Sequence, residues 1–222
     1  MKSVVCTGCV FSLVLMAAMG TVSDLHAAER VGVPPAPVPS EEYPLYDLIV
    51  RDKFLTSQTT LVVIERLTVA RTKKNERDYL SRESLEDQEI FDNRLPPVLL
   101  DDFLSKLQAP SRLDGKFNFG VPYRFTRDGV PEEPEVSLAP IPAADRRSIQ
   151  GRGQDQGPRS TIGLLRFSRV GLTRREDQAL VYVEEERLDG TGGGFLVWMH
   201  RRGKVWTIAD TEVLWMARPD EP

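Results

Sequence analysis

The chain has 222 residues, 41% of them hydrophobic and 28% charged, with 29 Lys and Arg against 33 Asp and Glu for a formal net charge of -4. A mildly acidic balance of this kind lacks the basic stripe that nucleic acid binding requires, so no nucleic acid partner is expected. Length and composition fit one ordinary globular domain.

Met1-Lys2, the apolar run Val4 to Met19, and the small residues of Leu25-His26-Ala27-Ala28 predict a signal peptide over residues 1–28, cleaved near Ala27 or Ala28. The mature protein is then secreted or periplasmic, with no membrane attachment. An uncleaved anchor is the competing reading, because the stretch to Val22 approaches the roughly 20 residues that span a bilayer. Gly20, Thr21, Ser23 and Asp24 loosen the end of that run. Thr7-Gly8-Cys9 resembles a lipid-attachment box, but almost no apolar region precedes it.

Cys6 and Cys9, the only cysteines, both fall in the segment to be removed. A disulfide framework, a thiol nucleophile, a CxxC redox centre and a cysteine zinc site are thereby excluded together. His26 is lost with them, which leaves His200 alone and excludes a histidine-rich metal site; a Ser/His/Asp triad would have to pass through this one residue. No GxSxG, HExxH or GxxxxGK[ST] occurs. Neither a metal nor a cofactor is implied.

Residues 29–40 contain Val33-Pro-Pro-Ala-Pro-Val-Pro39, a density of proline that suits an extended tether, and the folded body is expected from about Ser40. Tyr43, Tyr46, Ile49, Val50 and Phe54 recur at helical spacing, with Ser40 able to cap and Glu41-Glu42 favourable at a helix start, so a helix is expected at about 41–55. Thr59 to Val69 is rich in β-branched residues and apolar at its centre, the pattern of a buried strand. Lys73 to Asp78 reads as a charged loop.

Pro96-Pro97 opens a second helix with Leu100, Phe103, Leu104 and Leu107 on one face, ended by Pro110. Asp101-Asp102 lies on its polar side. Phe117 to Phe125 alternates aromatic and small residues and is a further strand candidate. Residues 129–158 carry many prolines, glycines and charges and few aliphatics, the composition of a flexible insertion. GRGQDQG within it has the glycines of a phosphate loop without the strand and helix that such a loop needs.

The last quarter holds four strand-like runs, Thr161 to Gly171, Gln178 to Glu186, Gly194 to His200 and Lys204 to Met216. Their connections are too short for crossovers, so they form an antiparallel meander. The expected class is α+β: N-terminal helices packed on a curved antiparallel sheet whose last four strands form a C-terminal meander, within a single domain over residues 41–222. A final turn centred at Arg202-Gly203 pairs His200 with Val205, Trp198 with Thr207, Met199 with Trp206 and Val197 with Ile208, and brings Phe195 near Asp210. Val197, Met199, Trp206 and Ile208 then share the core face, while Trp198, His200, Thr207 and Ala209 share the other. His200 is expected as a solvated strand-end residue without an acidic partner opposite it. Glu184 to Glu186 reads as a solvated strand end, and Gly190 to Gly194 as a permissive turn.

Ser168-Arg169-Val170-Gly171-Leu172, Gln178 to Val183, the glycine-rich turn, Gly203-Lys204-Val205-Trp206 and Leu214-Trp215 stand in an order that resembles a family of uncharacterised secreted bacterial proteins with the pattern SRVGF…ALVYV…GGGY…GKW…LW. Upstream, Leu61 to Thr68 and Asp101-Asp102-Phe103 fit it loosely. The resemblance implies no established activity. Many members place two cysteines in the turn that is Arg187 to Gly193 here, and this chain has none. Helices on such a meander also resemble the cystatin-like and nuclear-transport-factor-2-like class, a likeness of fold that implies no function.

Two readings of function follow. The first is a secreted non-catalytic module that binds a protein or small-molecule partner on the concave side of the sheet, with Tyr182, Trp198 and Trp215 as the ligand-binding candidates; plain core packing is the alternative for each. The second is a cofactor-free isomerase or dehydratase, with Tyr182 as acid and Glu184 or Asp210 as a buried base. A carboxylate enclosed in an apolar pocket is the feature that separates them.

Overall fold

A computed structural model describes residues 34–71, 78–132 and 161–218. The signal peptide, most of the proline-rich segment, the charged loop up to Glu76-Arg77, GRGQDQG and nearly all of the expected insertion lie outside the described residues. The body starts earlier than Ser40. Pro37 bridges Arg112, and Val38, 1% exposed, belongs to the core. Its prolines serve there as an extended strap, since a residue without a backbone donor still accepts hydrogen bonds, and Ala36 O takes the Arg112 N–H at 2.8 Å.

The first helical stretch is continuous but changes its winding. A 3-10 turn at Ser40–Glu42 leads into α1 (Tyr43–Ile49), which ends in a π-helical turn at Val50–Phe54. Ser40 makes no side-chain cap. The Leu55 N–H instead reaches five residues back to Val50 O at 3.0 Å. Two short helical segments that the sequence pattern does not announce follow, a 3-10 turn at Asp78–Leu80 and α2 (Arg82–Asp87), the latter capped by the Ser81 hydroxyl on the Ser84 N–H. After a third 3-10 stretch at Ile90–Asn93, α3 spans Pro97–Lys106 with Pro97 in its first turn, as expected.

The strands are β1 (Leu61–Glu65), β2 (Tyr123–Arg127), β3 (Val130–Pro131), β4 (Thr161–Phe167), β5 (Gly171–Leu172), β6 (Gln178–Glu186), β7 (Gly192–Arg202) and β8 (Val205–Ala217). They form one sheet in the order β3-β2-β1-β4-β6-β7-β8, with β5 paired to β6 beside that path. The class is α+β, and β4, β6, β7 and β8 are the four-stranded antiparallel meander. The sheet as a whole is mixed, because β1 lies parallel to both β2 and β4. Parallel neighbours need a crossover, and α2 and α3 supply it between β1 and β2.

Both faces of the sheet are covered. One carries Tyr46, Ile49, Val50, Val181, Val183, Val197 and Met199 in a core with α1. The other carries Leu180, Tyr182, Leu196 and Trp198 in a second core with Leu99, Phe103 and Phe91 from α3 and its approach. This explains the unbroken apolar runs Ala179 to Val183 and Phe195 to Met199, since a strand buried on both sides loses the alternation of a half-exposed one. Phe117 to Pro122 is not strand, because only Tyr123–Arg127 pairs in the sheet. Phe117 turns inward instead, its ring 5.2 Å from Tyr43 and 5.3 Å from Tyr123.

Candidate functional site

The final hairpin decides where the C-terminal side chains point. Its turn is Gly203-Lys204, one residue later than expected, so Arg202 pairs with Val205, His200 with Thr207 and Met199 with Ile208. Gly203 takes φ 62° at the first turn position, where a two-residue hairpin favours glycine. A one-residue move of the turn shifts the register by two and preserves the faces, so Trp206 and Ile208 still pack with Met199 and Val197. Trp206 is only half-buried there, with the Arg201 guanidinium 5.3 Å from its ring centre.

Beyond Ile208 the expected face assignment fails as well. A bulge skips Ala209, so Trp198 faces Asp210 and Phe195 faces Val213. A second bulge at Leu214 sets Trp215 opposite Gly194. Each bulge flips which side of β8 looks at which core. Thr211, Val213 and Met216 come to the α1 side, and Trp215 to the other.

Tyr182, Trp198 and Trp215 all lie on the α3 side, and each has partners within the chain. The Trp215 indole N–H donates to the Tyr182 hydroxyl at 2.8 Å, and the Tyr79 hydroxyl lies 3.2 Å from the same oxygen. Burial, the nearby Glu184 charge and the Tyr79 bond all raise the Tyr182 phenol above its ordinary value. Gly194 makes this junction possible, because a Cβ there would overlap Trp215 Nε1 and the Tyr182 hydroxyl. Trp198 donates to Gln178 at 3.1 Å and packs 5.6 Å from Phe91. His200 is half-buried rather than solvated. Its ring stands edge-on to Trp198, 4.6 Å between centres at 87°, and its Nε2 is buried with no hydrogen-bond partner among the described residues.

The three residues of the enzymatic reading do not converge. Glu184 is 8% exposed and lies 3.8 Å from the Arg166 guanidinium, while Asp210 has a side chain 42% exposed and pairs with Arg94 at 3.1 Å. Glu184 is level with Gly194 and Asp210 with Trp198, four residues apart along β7, or roughly 13 Å at strand rise.

Ser168 to Leu172 has a structural task that explains its residue types. Glu42, buried on the 3-10 turn before α1, accepts from Arg169 Nη2 at 2.7 Å, from the Val170 N–H at 3.0 Å and from the Tyr46 hydroxyl at 2.9 Å. Bonding to that carboxylate raises the Arg169 guanidinium further above its ordinary value, and burial beside Glu42 raises the Tyr46 phenol. Ser168 Oγ accepts the Tyr182 N–H at 2.9 Å. On the other face Leu172 N–H donates to Asp102 at 2.7 Å, Lys106 donates to Val170 O at 2.8 Å, and α3 crosses Gly171 so closely that a Cβ would sit 2.6 Å from that of Phe103. One short segment thus fastens α1 and α3 to opposite faces of the sheet.

Open surface lies elsewhere, in a cleft of about 1210 Å³ that extends from beside the π-helical turn to Val63, Arg124 and Leu164. Its α1-side floor is Phe54, Val183, Phe195, Val197 and Val213, and the β6–β7 hairpin overhangs it with Leu188. Leu188 is 104% exposed and Val213 50%. A second groove, about 530 Å³, runs beside it between the helix end and Trp206 to Thr211 of β8. Lys53 and Thr211 line both cavities, so they mark the junction. Thr211 Oγ1 is buried there without a hydrogen-bond partner among the described residues. Tyr182, Trp198, Trp215 and Glu184 line neither cavity, and Asp210 lines the groove. The sequence carries one sign of this place, the glycine-rich connection from Arg187 to Gly193. No protein family, curated protein or solved structure matches the chain.

Proposed function

We propose that the protein is a non-catalytic ligand-binding module and that its ligand occupies the cleft floored by Phe54, Val183, Phe195, Val197 and Val213. The observation that carries this reading is the exposure of Leu188 and Val213 at a concave site. Apolar side chains held open to water in a cleft are costly unless a partner covers them, and such clefts with a few convergent polar groups are the usual form of small-molecule sites. The π-helical turn supports it, since that winding is rare and recurs at functional places in helices. An envelope location and kinship with the secreted bacterial family belong to the same proposal and rest on the N-terminal sequence and on the SRVGL, ALVYV and GKVW segments.

A neutral apolar fluorophore, N-phenyl-1-naphthylamine, tests the site. It should bind the wild-type protein with a rise in emission, and Val213→Lys should weaken that binding at least about tenfold by placing a charge on the cleft floor. Val98→Lys, an equally exposed apolar position on α3 away from the cleft, should bind as wild type. Equal binding by the wild type and Val213→Lys removes the cleft from the account. For location, the N-terminus of the protein taken from its native envelope fraction should begin near Ala28 or Glu29, and an intact Met1 would overturn export with cleavage.

A further inference from the structure

The chemistry at the junction of the two cavities narrows the ligand, and the argument rests on the binding reading above. Charges along the α1-side wall are mostly neutralised within the chain. Arg187 makes two bonds of 3.0 Å to Glu185, and Asp189 accepts both the N–H and the hydroxyl of Thr191. Lys53 is different. Its only ion pair among the described residues is with its neighbour Asp52 at 3.4 Å, and both side chains are largely in water, where such a pair is weak. Lining the same junction is the Thr211 hydroxyl, a buried polar group without a hydrogen-bond partner among the described residues, where a ligand oxygen would satisfy it. One ammonium and one hydroxyl donor therefore adjoin a long apolar floor.

We infer that Lys53 and Thr211 hold the carboxylate of a single-chain amphiphile, whose hydrocarbon tail lies over Phe195 and Val213. A carboxylate accepts from both donors at once, and charge-assisted bonds of this kind are the stronger ones. The tail covers the surface that is otherwise open to water. Arg124, the other lining cation without an ion pair among the described residues, pairs across to Val63 and stands on the opposite face of the sheet, away from this floor.

Calorimetric titration with decanoate and with decanol, both below their aggregation limits, tests the head-group assignment at constant chain length. Decanoate should bind about tenfold or more tightly than decanol. Lys53→Met should bring decanoate down to the level of decanol and leave decanol unchanged, and Thr211→Val should weaken decanoate by a smaller factor. The preference should also shrink as salt is raised. Equal affinity of the two ligands for the wild type, or a preference that survives Lys53→Met, overturns the carboxylate site while the cleft stands as an apolar site. Loss of the preference in Arg124→Met rather than Lys53→Met overturns it as well. Failure of both ligands to bind overturns the binding reading itself.

Discussion

Ser168 to Leu172 and the cleft beside β8 are parts of one sheet with opposite fates for their polar and apolar groups. In the first, Glu42, Ser168 and the backbone of Val170 are buried, Arg169 is mostly so, and they bind one another with hydrogen bonds, while the glycine at 171 lets a helix press on the strand. In the second, Leu188 and Val213 stay in water and a buried hydroxyl has no partner among the described residues. A saturated buried network makes a unique, rigid junction, whereas unsatisfied groups at an open cleft leave interaction energy for another molecule. The segment that most resembles a motif is therefore the fastening, and the place suited to binding carries almost no motif.

The comparison predicts a large loss of stability at the first region. Glu42→Ala removes the partner of a mostly buried guanidinium, and breaking such a pair costs about 3–5 kcal/mol. Thermal melting should drop by many degrees; a drop of only a degree or two would show that Arg169 is satisfied by water. Gly171→Ala comes next, at about 1–3 kcal/mol, because backbone and Cβ of Phe103 must move to admit the methyl group.

A smaller effect separates Trp206 from His200. Trp206 is half-buried on an edge strand, so truncation to Ala should cost less than the about 3–5 kcal/mol of a fully buried tryptophan, near 2 kcal/mol. His200→Ala should cost about 0.5–1.5 kcal/mol, the worth of its edge contact with Trp198. Side-by-side melts decide the order, and a histidine variant melting below the tryptophan variant would contradict the burial of the two rings.

The smallest expected effect tests whether the α1 core tolerates charge. Burial lifts the Asp47 carboxyl above its ordinary value, against the pull of the Asn118 N–H and Arg51. A folded-state pKa above the unfolded one means that the native state binds the proton more tightly, so this group's contribution to stability falls as pH rises from the ordinary carboxylate value through the raised one. Asp47→Asn retains an acceptor for the Asn118 N–H and removes the charge. It should melt slightly above wild type at pH 7, and the gap should close below about pH 4, where unperturbed aspartate protonates. A gap that widens on acidification would reverse the sign.

Local patterning determined much of this protein. The β-branched run at 61–65, the proline at the start of α3, the helical spacing of Tyr43, Tyr46 and Ile49, and the short connections of the last strands each follow from propensity and period within a few residues. The glycine-rich turn and Gly203 likewise announced their hairpins, the latter one residue from where it folds. What the tertiary structure decided is which way those elements face. The unbroken apolar runs of β6 and β7 show burial without saying that helices cover both sides, and the parallel placement of β1 depends on strands brought from distant parts of the chain. The cleft was the least legible. Thr211 and Val213 reach it because a bulge at Ala209 reverses the alternation of β8, and nothing in the neighbouring residues requires an extra residue there; a second bulge at Leu214 then returns Trp215 to the α3 side, where it fits onto Tyr182 across Gly194. Side-chain alternation is a local rule, but the register it acts on is set by contacts between strands.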